Sequence, residues 1–112
     1  MPYARHIDAE IAREPRIFGP LHPGVVLREE FMEPLGISRN ELARALSVSP
    51  RRINEIVNEK RAITADTALR LSRCFGTSAE FWMSLQTDFE LQSARDELSS
   101  RLEQEVTPLR AA

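Results

Sequence analysis

The stretch SRNELARALSVSPRRINEIVN, residues 38–58, decides the fold of this chain. Ser38 followed by Glu41 forms a capping box, which predicts that a helix begins directly after Ser38. Ser49 followed by Pro50 is an equally strong start signal, because serine caps a helix and proline suits its first position. The sequence therefore predicts two short helices that are separated by a very short connection.

Apolar or small side chains recur where two such helices would pack against each other. Ala43 is small enough for the helices to approach closely at their crossing, and Asn58 is predicted to end the second helix in a left-handed conformation. The other apolar positions of the pair are Leu42, Leu46, Val48, Ile53 and Ile56. This spacing is typical of a helix-turn-helix, whose second helix projects from the body and can enter a DNA major groove.

The outer face of the second helix carries polar and basic side chains. At about 100° per residue, Ile53, Ile56 and Val57 share one side, and we expect them to be buried. Arginine can bind guanine O6 and N7 through two hydrogen bonds, and asparagine can bind adenine N6 and N7 in the same way. We therefore expect DNA contacts from the opposite face, which comprises Arg51, Asn54, Glu55 and Asn58 with Arg52 at its flank.

Neighbouring residues extend this predicted DNA surface. Arg39 and Asn40 begin the first helix of the pair, where backbone N–H groups and the helix dipole also favour an anion. Lys60 and Arg61 follow the second helix and are expected to contact phosphates. Glu55 is expected to orient Arg51 or Arg52 from one turn away, although it could also accept from a cytosine amino group.

Helical signals also lie on both sides of the pair. Pro23 begins a first helix that is expected to stop near Glu33-Pro34. Thr64 caps a fourth helix that ends at Gly76. The apolar residues of these two helices are Val26, Leu27, Phe31, Ala68, Leu69, Leu71 and Phe75. No alternating β-branched run or hairpin turn predicts a strand.

A second capping box, formed by Thr77 and Glu80, opens a long fifth helix that continues through Leu102 and frays near Pro108. Its first turns carry four large apolar residues, which we interpret as core or as a dimer interface: Phe81, Trp82, Leu85 and Phe89. The sequence thus predicts a domain at residues 22–91 and a helical extension or tail at 92–112. Residues 1–21, broken by Pro15 and Gly19-Pro20, are predicted to be a mobile or partner-dependent arm.

Charge is distributed unevenly along this 112-residue chain, whose net charge is −2. Residues 38–73 carry eight basic and four acidic groups, which gives +4, whereas residues 1–37 carry −2 and residues 74–112 carry −4. A basic centre suits a DNA-facing surface, and acidic ends suit a basic protein partner. Random scatter of charge is the alternative interpretation.

Catalytic and metal-binding patterns are not found in the sequence, so we expect no enzyme activity, no cofactor and no metal. His6 and His22 lack a matching cysteine cluster, and a role for His22 at the start of a helix is favoured over catalysis. Cys74, the single cysteine, cannot form an internal disulfide and has no activating partner nearby in sequence. No apolar run approaches the ~20 residues that are needed to span a bilayer, and the N-terminus lacks the apolar core of a signal peptide. Both observations favour a cytoplasmic protein without membrane contact.

A family resemblance covers residues 22–89. The segments HPG (22–24), LREEF (27–31), INEIVNEKRAIT (53–64) and TADTALRLSRCFGTSAEFW (64–82) resemble the HigA-type antitoxins of the Cro/cI-like (XRE) helix-turn-helix superfamily. The resemblance implies an all-α fold, namely a five-helix lambda-repressor-like DNA-binding domain. It also implies a homodimer on a palindromic operator that represses its own operon, and a HigB-type toxin partner, a RelE-like ribonuclease, that the antitoxin neutralises.

The resemblance also assigns residues to DNA contact. Those implied by it are Arg39, Asn40, Pro50, Arg51, Arg52, Asn54 and Lys60, and the full predicted set adds Ser49, Glu55, Asn58 and Arg61. Three positions depart from the family pattern. Ser47 replaces a turn glycine, and Arg39 replaces a common glutamine. Glu59 replaces the glycine of the family's N-G-K, so the turn at the end of the second helix falls on Asn58 or Glu59.

Two alternatives to an antitoxin remain open from the sequence. A solitary XRE-type transcriptional regulator would share every predicted DNA contact and would lack only the toxin. A protein-interaction module on a helix-turn-helix scaffold, or a small enzyme, would lack salt-dependent binding to DNA.

Overall fold

The computed structural model describes residues 20–110, which form five helices and no strand. The first helix, α1, consists of three consecutive segments: Pro23–Val26, a π-helical stretch Leu27–Met32 and a last turn Glu33–Leu35. The other helices are α2 (Arg39–Leu46), α3 (Pro50–Val57), α4 (Ala65–Phe75) and α5 (Ala79–Glu105). The predicted all-α, five-helix fold is confirmed. All but the last two residues of the predicted arm at 1–21 lie outside the described residues.

The caps of α2 and α3 form as the sequence predicts. The Ser38 hydroxyl accepts from the Glu41 backbone N–H at 3.1 Å, and the Glu41 carboxylate accepts from the Ser38 backbone N–H at 3.2 Å. The Ser49 hydroxyl accepts from the Arg52 backbone N–H at 3.1 Å. These bonds satisfy N–H groups that have no partner inside their helices, and they fix where α3 begins.

The predicted stop of α1 near Glu33-Pro34 is confirmed to within one residue. The helix continues to Leu35 and ends at Gly36, whose φ of 65° is left-handed. Pro34 lies two residues after the end of the π-helical stretch Leu27–Met32. The wider π turn accommodates the proline ring, which would clash with a carbonyl one turn earlier in a regular α-helix.

The connections at both ends of the α2–α3 pair use left-handed backbone at non-glycine residues. Ser47 has a φ of 55°, as expected if it replaces a turn glycine. The prediction that Asn58 ends α3 in a left-handed conformation is wrong, since its φ is −89° and Glu59 has the φ of 62°. Each such residue costs about 1–2 kcal/mol relative to ordinary backbone, so the surrounding packing must hold these turns.

The core of the described residues is built around Trp82, which is fully buried. Its indole N–H donates to the Thr77 hydroxyl at 2.7 Å, and its ring lies 5.1 Å from that of Phe31. Because Thr77 is buried in this bond, the predicted capping box at Thr77 is wrong, and Ser78 caps α5 instead. Leu69, predicted to belong to the apolar stripe of α4, is 63% exposed.

The burial of Trp82 and Leu85 supports the first of the two predicted alternatives for them, core, over a dimer interface. Both side chains belong to the core of a single chain, and Leu85 is only 5% exposed. Phe81 and Phe89 are half-buried, and the Phe89 ring packs edge-on against His22 at 4.8 Å. The first turns of α5 thus face the bundle, whereas its second half, as far as Glu105, is mostly exposed. No helix within residues 20–110 has both the length and the apolar character needed to span a bilayer.

Candidate nucleic-acid interface

Helix α3 has the orientation expected from its sequence. Ile53, Ile56 and Val57 are each 0% exposed and belong to the core. Arg51 and Asn58 on the opposite side are exposed. Burial of the three aliphatic side chains fixes the rotation of α3, so its polar face points away from the bundle.

The start of α1 holds the far end of α3 in place. The Arg28 guanidinium donates to the Val57 carbonyl oxygen at 3.2 Å. Gly24 lies so close to α3 that a Cβ atom built on it would be 1.8 Å from the Ile56 carbonyl oxygen. The backbone of α1 therefore packs directly on the backbone of α3, and only glycine fits at this contact.

Arg39 and Asn54 connect the first turn of α2 to the middle of α3. The Arg39 guanidinium donates to the Asn54 side-chain oxygen, with an Nη1–Oδ1 distance of 3.2 Å. Both residues are half-buried. Each of them was predicted to lie on the DNA surface, but their contact with each other was not predicted.

Glu55 holds two arginine side chains on the outer face of α3. Its Oε2 accepts from Arg51 Nε at 2.9 Å, and its Oε1 accepts from Arg61 Nε at 2.7 Å. The hydrogen bonds from Arg51 and then Arg61 lower the pKa of Glu55, so it is ionised at neutral pH. Of the two alternatives predicted for Glu55, orienting Arg51 or orienting Arg52, the structure shows the contact with Arg51.

Arg52 points away from this cluster and contacts α4. Its guanidinium donates to the Asp66 carboxylate at 2.8 Å. Arg70 donates to the same carboxylate at 3.0 Å and to the Leu46 carbonyl oxygen at 2.8 Å. The hydrogen bonds from Arg52 and Arg70 lower the pKa of Asp66. Asp66 and Arg70 were not among the predicted site residues, although their spacing of four residues on one helix indicates an ion pair.

The remaining predicted contact residues lie around the same face. Ser49 uses its hydroxyl as the cap of α3, so it is committed to a backbone N–H. The others are exposed, namely Asn40, Pro50, Asn58 and Lys60. The structure therefore brings together, through hydrogen bonds, two groups of predicted site residues: Arg39 with Asn54, and Arg51 with Glu55 and Arg61.

His22 and Cys74 take structural positions. The His22 Nδ1 atom accepts from the Gly24 backbone N–H at 2.9 Å and so caps α1. Burial raises the pKa of the Cys74 thiol, which keeps it protonated and unreactive at neutral pH. Within residues 20–110, no group of three or more histidine, cysteine or acidic side chains could hold a metal ion.

We expect the stability of the protein to fall as the pH drops below about 6.5 because of His22. Burial lowers the pKa of His22 below its ordinary value, and Glu59 offsets part of this effect. The unfolded chain thus takes up the proton more readily, so stability is complete above the unfolded pKa and is lost as the pH falls toward the folded pKa. Urea unfolding of the protein and of His22→Asn, between about pH 5 and 7.5, measures this loss.

The His22→Asn variant is the matched control, because asparagine also caps helices but does not titrate in this range. We expect its stability to change less with pH than that of the parent protein. Other groups, including Glu55 and Asp66, are present in both proteins. Identical pH profiles would contradict a role for His22 protonation.

Comparison with known proteins identifies the family. The helix-turn-helix family model matches residues 29–82. Virulence-associated protein I of Dichelobacter nodosus is 55% identical over 80 residues, which cover 71% of this chain and 74% of that protein. Antitoxin HigA-1 of Vibrio cholerae is 32% identical over 77 residues, or 69% of this chain and 72% of the antitoxin.

A solved structure supports the same conclusion. The Pseudomonas aeruginosa antitoxin HigA, solved with the higBA promoter, matches with a TM-score of 0.78 and 48% identity, covering 81% of this chain and 99% of that one. The family model, the sequences of the relatives and the solved structure thus all indicate the same family. The chain belongs to the XRE-type helix-turn-helix family that includes the HigA antitoxins.

Proposed function

We propose that this protein is a transcriptional repressor that binds operator DNA through α3 and serves as the antitoxin of a toxin–antitoxin pair. The observation that carries the DNA-binding part is the orientation of α3, which buries three aliphatic side chains and leaves Arg51 and Asn58 exposed on the opposite face. Such a helix can enter the major groove and place its side chains against base edges. The relative from Pseudomonas aeruginosa, solved with a promoter, supports this proposal.

The phosphate contacts are proposed to come from the ends of the α2–α3 pair. Lys60 is exposed just beyond α3, and Asn40 is exposed in the first turn of α2. The segment 38–73 that contains them has a net charge of +4. Positive charge on this part of the chain attracts the DNA backbone, whereas the acidic ends do not.

Binding to the protein's own promoter, measured over a range of salt concentrations, tests the proposal. We expect affinity to fall steeply with salt, and Lys60→Ala to weaken binding nearly equally on all sequences and to reduce the salt slope by about one. Arg73 is an exposed residue of α4, and Arg73→Ala is the control for the loss of one positive charge. Binding that is weak and independent of salt would instead favour a protein-interaction module.

We further propose that the repressor is a homodimer, since one recognition helix covers too few bases for regulatory specificity. With Trp82 and Leu85 in the core, the accessible apolar surface of α5 lies on its outer face. At about 100° per residue, Leu91, Leu98 and Leu102 fall on one side of the helix, and Leu91 is 47% exposed. A second copy of this chain is the partner that suits this apolar stripe best, because a symmetric dimer would bury the stripes of both copies against each other.

Sedimentation of the protein and of Leu91→Glu tests the dimer. We expect the parent protein to sediment as a dimer and the variant to shift toward the monomer, because dimerisation would bury the new carboxylate without a partner. Leu69→Glu replaces an exposed leucine on α4, outside this stripe, and is the control. A dimer that Leu91→Glu leaves unchanged would place the interface elsewhere.

The antitoxin part of the proposal needs a partner toxin, for which a RelE-like ribonuclease is the proposed class. The acidic ends of the chain, −2 before residue 38 and −4 after residue 73, are suited to a basic RNA-binding enzyme. Co-expression with the adjacent open reading frame should give a stable complex and suppress toxicity. If no neighbouring gene encodes such a protein, the solitary regulator, named among the relatives as an HTH-type transcriptional regulator, becomes the better assignment.

A further inference from the structure

The side-chain acceptors in the middle of α3 are already occupied by arginine N–H groups. Asn54 Oδ1 accepts from Arg39 at 3.2 Å. Both carboxylate oxygens of Glu55 accept as well, one from Arg51 at 2.9 Å and one from Arg61 at 2.7 Å. The arginine N–H groups that are not used in these bonds, together with the Asn54 NH₂ group, are the hydrogen-bond donors that these residues can present to a ligand.

The chemistry of arginine fixes the orientation of the Asn54 amide. A guanidinium group has five N–H donors and no acceptor, so the amide atom that faces Arg39 must be the oxygen. The Asn54 NH₂ group is then directed away from Arg39. An asparagine binds adenine through two bonds, accepting from the base amino group with its oxygen and donating to N7 with its NH₂. One of the two lone pairs of the Asn54 oxygen is engaged by Arg39, and the adjacent guanidinium disfavours a base amino group there, whereas the Asn54 NH₂ group keeps its donors.

Guanine is the base whose major-groove edge suits such a surface. It offers two acceptors, O6 and N7, and no donor on that edge, whereas adenine and cytosine each present an amino group that needs an acceptor. We propose that Arg39 and Asn54 act as one recognition unit that selects guanine over adenine at the base pair facing Asn54. Arg39 is then a positioning residue that determines specificity through Asn54, in addition to any phosphate it contacts.

This inference rests on the proposed function, DNA binding through α3, and its test separates the two. Duplexes based on the protein's own promoter, with each base pair varied in turn, are titrated with the parent protein and three variants at one salt concentration. Asn54→Ala identifies the base pair that faces Asn54, because the variant should lose the difference in affinity among bases at that position. At that position we expect the parent protein to prefer guanine over adenine by about tenfold.

Arg39→Ala is the decisive variant, because it frees the Asn54 oxygen to accept from a base amino group. We expect its preference at this one position to move from guanine toward adenine, while discrimination at the other positions is kept. Arg44→Ala removes the same charge from the same helix, five residues further along, and should leave the preference unchanged. Thermal unfolding of each variant verifies that it is folded.

The possible outcomes are distinct. If the parent protein prefers adenine at this position, or if Arg39→Ala weakens binding to guanine and adenine duplexes equally, the Arg39–Asn54 unit is refuted while DNA binding stands. If the parent protein discriminates at no position and binds without salt dependence, the proposed function fails, and this inference fails with it.

Discussion

Gly24→Ala is expected to lower the free energy of unfolding by at least about 3 kcal/mol, because the added methyl group has no room. Its Cβ would lie 1.8 Å from the Ile56 carbonyl oxygen and 2.8 Å from the Ile56 carbonyl carbon. Both atoms belong to the backbone of α3 and cannot rotate away as the end of a flexible side chain could. The helices α1 and α3 would have to separate, which would also disturb the contact between Arg28 and the Val57 carbonyl oxygen.

Urea unfolding of Gly24→Ala and Gly36→Ala measures this effect against a matched control. Gly36 ends α1 with a φ of 65°, and a Cβ there would meet no atom within 4 Å. In Gly36→Ala, the free energy of unfolding should therefore fall only by the cost of placing alanine in left-handed backbone, about 1–2 kcal/mol. Equal losses in the two variants would mean that α1 does not pack on the backbone of α3, and that something else orients the recognition helix.

Arg51→Ala is expected to reduce affinity for the operator by about 5- to 150-fold, corresponding to about 1–3 kcal/mol. Arg51 is the most exposed arginine of α3, and its hydrogen bond to Glu55 holds the guanidinium on the outer face. That bond orients the side chain before DNA arrives, so less conformational entropy is lost on binding. The loss should be concentrated at one base pair, since a bidentate contact to guanine discriminates among bases.

Competition binding with single-base variants of the promoter measures where the loss falls. Arg52→Ala is an informative comparison, because Arg52 donates to Asp66 on α4 rather than lying on the outer face. We expect Arg52→Ala to reduce stability more than base discrimination. If Arg51→Ala weakens binding to every sequence by the same factor, Arg51 contacts phosphate and not a base.

Local signals in the sequence predicted most of the fold and the orientation of α3. Ser38 and Ser49 cap helices through bonds to residues three positions away, so their effect is contained in a few letters of sequence. The burial of Ile53, Ile56 and Val57 follows from helical periodicity alone. These features depend on short-range geometry, which a single sequence records directly.

Features that depend on contacts between helices could not be predicted in this way. The direction of Arg52 is set by Asp66, which is distant in sequence and adjacent only after α4 packs. Trp82 and Leu85 looked equally suited to a core or to a dimer interface until the packing of the other helices on α5 was known. The left-handed turn at Glu59 is a local feature instead, and it allows the Lys60 backbone N–H to donate to the Glu55 carbonyl oxygen at 2.7 Å as α3 ends.

Mapping backbone amide chemical shifts while an operator duplex is titrated into isotope-labelled protein shows directly whether α3 contacts DNA. We expect the largest changes at residues 49–58 and at Arg39 and Asn40, with Lys60 and Arg61 following. Changes should be small along the buried first turns of α5. Large changes along α5 on DNA addition, with those of residues 49–58 unaffected, would contradict the account.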